Sequence, residues 1–194
     1  MNHIWLSTAN TNKRNEFATL LAPFGLHVHT PDELDTSFQP VAEVGQTFAE
    51  NAVLKAQALY DIVQAPVIAD DSGLIVDALA GYPGIYSARY AGIHATDAEN
   101  KALLLQQMKD ETNRQARFIC AIAFIQSETT IDIFEGIANG EILTSERGDA
   151  GFGYDSIFFS PELGMTFAEA TAIQKHTVSH RARALNKLLD KLKT

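Results

Sequence analysis

The chain has 194 residues, 46% hydrophobic and 20% charged, which is the composition of an ordinary globular protein with enough length for a sizeable core. Its formal charge of −9 argues against nucleic acid or an anionic membrane as the main partner, but not against a small polyanion whose charge a divalent cation offsets. Cys120 is the only cysteine, so an intrachain disulfide and a thiolate zinc site are excluded. The N-terminal stretch lacks the pattern of a secretory signal, and no apolar run approaches a bilayer span; a reduced, cytoplasmic protein is expected.

In chain order, residues 3–7 read as a first strand. Thr8, Ala9, Asn10, Thr11, Asn12 and Lys13 follow as a turn rich in capping residues. A helix is expected from about 10–13 to Ala22, with Phe17, Leu20, Leu21 and Phe24 as one apolar stripe and Pro23 and Gly25 at its end. The N–H groups at that helix start, beside Lys13, fit either an anion site or a plain capped helix with a solvated lysine. Neither the Walker nor the dinucleotide glycine pattern is present. Residues 27–30 are a candidate second strand, followed by an irregular acidic stretch to Val44. Thr47-Phe48-Ala49-Glu50 has the form of a capping box, opening a helix with Phe48, Ala52, Ala56, Leu59 and Val63 inward. Glu50 thereby has a structural task; Glu43, just upstream, has none visible in the sequence.

Asp70-Asp71-Ser72-Gly73 lies between the apolar runs Val67-Ile68-Ala69 and Leu74-Ile75-Val76. A strand is expected to end at the aspartates and turn at Gly73. Paired carboxylates there suit a polar turn cap and a chemical site equally well. Residues 81–92 form a shaped loop of three tyrosines, three glycines and Arg89, which fits stacking on a tyrosine or contact with a phosphate. Thr96-Asp97-Ala98-Glu99 is another capping box, and its helix carries Ala102, Leu103 and Met108. Residues 116–125 read as a central strand buried on both faces, paired through 127–129 with 130–138. A glycine-rich loop covers 148–155, the apolar run Ile157-Phe158-Phe159 follows, and Thr166-Phe167-Ala168-Glu169 predicts a short helix.

The last helix has Leu185, Leu188, Leu189 and Leu192 on one face. It begins at Ser179-His180-Arg181-Ala182-Arg183, with Lys175 and His176 just before. Cations at a helix start oppose the macrodipole, which makes sense where an anion docks; a solvated basic turn is the plainer reading. Carboxylates, basic helix starts and glycine-rich aromatic loops together suit a nucleotide polyphosphate. Glu43, Asp70 and Asp71 would offer hard oxygen ligands to Mg²⁺, Lys13, Lys175 and Arg181 would neutralise phosphate oxygens, and Phe152 or Tyr154 could stack on a base.

Thr8-x-Asn10-x-x-Lys13-x-x-Glu16, Glu43-x-Gly45-x-Thr47-Phe48-x-Glu50-Asn51-Ala52 with Lys55-Ala56, Ala69-Asp70-Asp71-Ser72-Gly73-Leu74, Pro83-Gly84-Ile85-Tyr86-Ser87-Ala88-Arg89-Tyr90, Gly151-Phe152-Gly153-Tyr154-Asp155 and Ser179-His180-Arg181 stand in the order of the inosine/xanthosine triphosphate pyrophosphatase family, and the chain resembles it over nearly its whole length. The resemblance implies an α/β fold with a long central mixed β-sheet flanked by helices, one domain over 1–194, and two lobes with a nucleotide cleft between them. It implies Mg²⁺-dependent cleavage of ITP, dITP and XTP to the monophosphate and pyrophosphate, and a homodimer. Asp71 would be general base, Glu43 and Asp71 metal ligands, and Thr8 to Lys13, Ser72, Phe152, Gly153, Tyr154, Asp155, Lys175, His180 and Arg181 substrate contacts. Two positions depart from the family pattern: Ala9, where many relatives carry glycine, and Gln174, where an acidic residue is common. The rival readings are a phosphohydrolase of ordinary nucleotides and a non-catalytic nucleotide-binding module.

Overall fold

β-branched and aromatic runs set the strands. The computed structural model describes residues 3–34 and 38–193. β1 (His3–Ser7) pairs in parallel with the short β2 (His27–His29) and with β3 (Val67–Val76). Next come β4 (Gln115–Ser127) and β5 (Thr130–Ile142), joined by two residues. β6 (Phe158–Ser160) and β7 (Met165–Thr166) complete the sheet through antiparallel pairings. The strand order is β2-β1-β3-β4-β5-β6-β7, a mixed sheet as expected. The helices are α1 (Thr11–Leu21), α2 (Phe48–Val63), α3 (Asp97–Gln107), α4 (Ala172–Val178) and α5 (His180–Leu192). Among the described residues no helix is long and apolar enough to cross a membrane.

The chain divides into two compact units. One comprises Met1–Asp71, Ala121–Glu135 and Ala184–Thr194. Its core packs Ala52, Ala56, Leu59 and Tyr60 of α2 on Val67 and Ala69 of β3 and on Ala123 and Ile125 of β4. The small alanines let the helix lie close to the strands. The other unit comprises Ser72–Cys120 and Gly136–Arg183. Its core is built from larger side chains: Leu74 and Val76 of β3, Leu104, Met108, Phe118, Tyr154, Phe158 and Phe167.

Several local expectations change. β3 does not stop at the aspartates; it runs unbroken through Gly73 to Val76, because Leu74 and Val76 bury themselves fully in the core of the second unit. Thr47 caps α2 through the Glu50 N–H at 3.1 Å, but the Glu50 carboxylate reaches past the cap to the Gln46 N–H at 2.7 Å. Phe24 falls in a 3₁₀ turn beyond α1 and is exposed, so the stripe of that helix ends at Leu21. Of the residues expected to pack from α3, Met108 at its C-terminal end is fully buried and Ala102 is exposed, and Leu104 joins Met108 in the core. Thr166 and Glu169 make the reciprocal bonds of a capping box, yet the chain forms a turn there and no helix. The box that does open a helix is Thr171 with Gln174, at the start of α4. That gives Gln174 a capping role an acidic residue would also fill.

Candidate functional site

In the first unit the site grows from the turn after β1. Thr8 Oγ1 accepts the Asn10 N–H at 3.2 Å, and Asn10 Oδ1 accepts the Lys13 N–H at 3.1 Å. These bonds fold 8–13 directly into α1, whose first turn carries no acidic residue. Ala9, Asn10, Thr11 and Asn12 are exposed around this helix start, and Thr8 is half-buried. A helix start leaves its first N–H groups without intrahelical partners, the usual seat for a phosphate. Lys13 turns inward, its Nζ 2.9 Å from Oδ2 of the fully buried Asp70.

Asp71 is the next residue on β3, and strand alternation gives it a different partner. Its Oδ1 accepts from Lys55 Nζ at 2.9 Å, and its Oδ2 from Asn51 Nδ2 at 3.3 Å. Asn51 and Lys55 lie four residues apart on α2, hence on one helix face. Lys55 Nζ also donates to Glu43 Oε1 at 2.8 Å, so Glu43 shares a cation with Asp71. Asn51 Oδ1 in turn accepts the Gly45 N–H at 2.8 Å, pinning the segment that carries Glu43. A side chain at position 45 would press on that same oxygen at 2.7 Å.

Three carboxylates therefore face two ammonium groups. Burial pushes the Asp71 carboxyl above the ordinary carboxylate range; Lys55 and Lys13 pull it back and Glu43 adds to the rise. Burial works to lower Lys55 as well, but the charges of Asp71, Asp70 and Glu43 outweigh it and hold that ammonium above its usual value. A buried carboxylate raised in this way, fixed by two donors, is equipped to accept a proton.

Among the described residues no group of three or more His, Cys, Asp or Glu is arranged to hold a metal ion as it stands. The donor chemistry nonetheless suits Mg²⁺. Glu43 and Asp71 offer hard oxygens to one shared cation, the Lys55 ammonium. Mg²⁺ characteristically takes only one or two protein carboxylates and fills its remaining positions with water and substrate phosphate.

The second unit carries a different set. Asp155 Oδ2 accepts from Lys175 Nζ at 2.7 Å and from the Phe152 N–H at 3.0 Å. Lys175 Nζ lies 5.1 Å from the Phe152 ring centre and 5.6 Å from that of Phe167; the Arg181 guanidinium lies 6.0 Å from Phe152. Arg181 also donates to Ser72 Oγ at 3.0 Å. His180 stacks on Phe118 with centroids 4.7 Å apart. Lys175, His180 and Arg181 are all buried, so the basic turn read from the sequence is not a solvated one. Gly151 and Gly153 take positive φ of +77° and +60°, and the Gly153 N–H donates to Asp97 Oδ2 at 2.6 Å. A Cβ on Gly151 would overlap Asp155 Oδ2. Tyr154 belongs to the core: it is buried and its hydroxyl donates to the Ser87 carbonyl at 2.8 Å, which leaves Phe152 as the ring beside the cations. Arg89 sits over Tyr86 at 5.4 Å.

Sequence reasoning assigns no role to Lys55 or Asn51. Their four-residue spacing on one face of α2 is the signal that could find them, given that β3 presents Asp71 there. Phe118 and Phe167 give no such signal, because their aromatic contacts join segments distant in sequence.

Fold and side chains together define an α/β protein equipped for a phosphorylated ligand bearing a flat ring. A model of the Ham1 family matches residues 4–191, and the chain belongs to that family. It is 48% identical to a dITP/XTP pyrophosphatase of Photorhabdus laumondii, over all of this chain and 99% of that protein. It is likewise 48% identical to a dITP/XTP pyrophosphatase of Mannheimia succiniciproducens, with 97% of each covered. A HAM1 protein from Coxiella burnetii superposes with a TM-score of 0.91 at 38% identity, over 100% of this chain and 99% of that one. The Ham1 protein of Staphylococcus aureus gives 0.87 at 41%, over 99% and 98%.

Proposed function

We propose that this chain hydrolyses ITP, dITP and XTP between the α- and β-phosphates, releasing the nucleoside monophosphate and pyrophosphate. The observation that carries the reading is Asp71, a buried carboxylate with raised proton affinity held by Lys55 and Asn51. As general base it takes a proton from the attacking water. Lys13 and the first N–H groups of α1, with Thr8 to Asn12 shaping the turn, hold phosphate oxygens. Glu43 and Asp71 would hold Mg²⁺, which when bound neutralises phosphate charge that lysines alone leave in excess. Asp70 keeps Lys13 in place.

Phe152 offers a face for the base, with Asp155 and Lys175 fixing its loop and Gly153 and Tyr154 shaping it. Arg181, with Ser72 and His180, is assigned to base recognition. Hypoxanthine and xanthine carry an acceptor at C6 where adenine carries an amino donor, so a fixed guanidinium rejects adenine by opposing donor with donor.

We further infer one domain over 1–194, a cytoplasmic location and a homodimer; Tyr82, Tyr86 and Ile93 leave apolar surface exposed, which supports the last. Turnover of ITP, XTP, GTP and ATP side by side with Mg²⁺, with the products identified, tests the activity. Monophosphate and pyrophosphate from ITP and XTP well above ATP is the expected result. Equal rates, or orthophosphate as first product, would make the chain a phosphohydrolase of ordinary nucleotides, and tight ITP binding without turnover a binding module.

A further inference from the structure

Away from these groups, at the edge of the first unit, three imidazoles share one face. β1 and β2 place His3 opposite His27 and Trp5 opposite His29, so the four side chains sit on the same side of the ladder. His3 stacks on His27 and on His29, with ring centres 5.2 and 5.1 Å apart, and Trp5 closes on His29 at 5.1 Å. His3 Nδ1 and His29 Nε2 are 2.9 Å apart. The other nitrogen of His29, Nδ1, lies 2.7 Å from Glu33 Oε2. Glu33 is itself fixed, because its Oε1 accepts the Thr30 N–H at 2.8 Å in a complete capping box. Its carboxyl is held below the usual range, first by the bond from His29 and then by that from Thr30.

With both imidazoles neutral, these contacts fit a single pair of tautomers. A carboxylate accepts only, so His29 carries its proton on Nδ1 and presents the Nε2 lone pair. Neutral His3 then donates from Nδ1. We propose that His3 and His29 form a transition-metal site, with Zn²⁺ taking the place of the proton between His3 Nδ1 and His29 Nε2 and with Glu33 as the carboxylate that orients His29. With Zn–N bonds of about 2.05 Å, two ligands at a tetrahedral angle stand roughly 3.3 Å apart, so the two nitrogens part by a few tenths of an ångström and the rings tilt to aim both lone pairs at the metal. His3 moves its proton to Nε2 through solvent, so no net proton is lost from the neutral pair. A carboxylate–histidine–metal arrangement is the usual support for such a ligand. Two protein nitrogens leave the other positions to water; among the described residues no group of three or more His, Cys, Asp or Glu is arranged to hold a metal ion. The site would tie the edge strand β2 to β1.

The test is calorimetric titration of untagged, chelator-treated protein with Zn²⁺, together with a thermal melt. Wild type is expected to bind one equivalent that His29→Gln abolishes, and to melt at higher temperature with Zn²⁺ present, a rise the variant lacks. Glu33→Gln keeps both ligands and should weaken that equivalent by at least about tenfold. Zn²⁺ at the acidic groups around Asp71 adds an equivalent that His29→Gln leaves intact. No bound Zn²⁺, or the same stoichiometry and affinity in wild type and His29→Gln, overturns the proposal. Hydrolysis of ITP by His29→Gln should match wild type, so failure here does not touch the proposed activity.

Discussion

The two units handle charge in opposite ways. The first gathers three carboxylates and two lysines around β3, Lys13 paired with Asp70 at 2.9 Å and Lys55 with Asp71 and Glu43 at 2.9 and 2.8 Å, with alanines as the packing partners nearby. The second holds Lys175, His180 and Arg181 against Phe152, Phe167 and Phe118, with Asp155 as the carboxylate paired to Lys175. The network rich in like-charged oxygens has shifted proton affinities; the cations of the second are buried against aromatic rings. Under the proposed function the first would serve proton transfer and phosphate chemistry, and the second recognition of a flat, oxygen-bearing base. Asp71 and Ser72, consecutive on β3, are the last residue of one set and the first of the other.

The comparison breaks most sharply at Asp71. Asp71→Asn keeps the size of the side chain and an acceptor for Lys55 but removes the proton acceptor. Turnover of ITP should fall by at least about 10²-fold, with the melting temperature near that of wild type. Near-normal kcat in a folded variant would take Asp71 out of the reaction and reduce the first unit to a phosphate cradle.

Arg181→Ala probes the other side. Here the expected loss is in discrimination: the ratio of kcat/KM for ITP over ATP should drop by about tenfold or more, each decade being worth about 1.4 kcal/mol of transition-state preference. The residue is almost wholly buried, so truncation also risks the fold. Arg181→Lys keeps the charge while losing the planar fork and should show the same loss of selectivity in a stable protein. Kinetics unchanged in both variants would assign base recognition elsewhere.

Much of this division is legible in the amino-acid sequence. The strands 3–7 and 116–125, the helices 11–21 and 48–63, and the basic start of α5 follow from periodicity and capping residues, which are local. The rest depends on long-range packing. Gly73 reads as a turn because its neighbours in sequence allow one; Leu74 and Val76 keep β3 extended because a core formed by distant residues receives them. Thr166 to Glu169 has the chemistry of a helix start without the apolar face that makes a helix worth forming. Glu43 reads as unoccupied only because Lys55 is twelve residues away. Phe152 and Tyr154 are equivalent candidates by type, and only the bond from the Tyr154 hydroxyl to Ser87 separates them.

Gly151→Ala should have a smaller effect, confined to the second unit. At φ +77° an alanine is strained, and its Cβ would meet the Asp155 carboxylate that holds both Lys175 and the Phe152 N–H. The strain costs about 1–3 kcal/mol if the loop keeps its shape. The loop will instead shift Asp155, and KM for ITP should rise several-fold with kcat changed less. A fall in kcat at constant KM would mean that this loop serves the chemistry of the first unit rather than ligand binding.

The smallest effect is expected at Tyr154, where stability alone is read. Burial pushes its phenol well above the usual value, with Tyr90 and Asp97 adding to the rise. The folded state thus holds this proton more tightly than the unfolded chain, whose tyrosines ionise near about pH 10. The stabilisation is fully present below that pH and is lost as the pH rises above it towards the folded value. Tyr154→Phe removes the titration and the bond to Ser87, costing about 1 kcal/mol at neutral pH. The gap in melting temperature between wild type and variant should therefore narrow from about pH 10 upward. A gap that stays constant to higher pH would show that the hydroxyl is not buried in the second core, and would reopen Tyr154 as a ring available to the ligand.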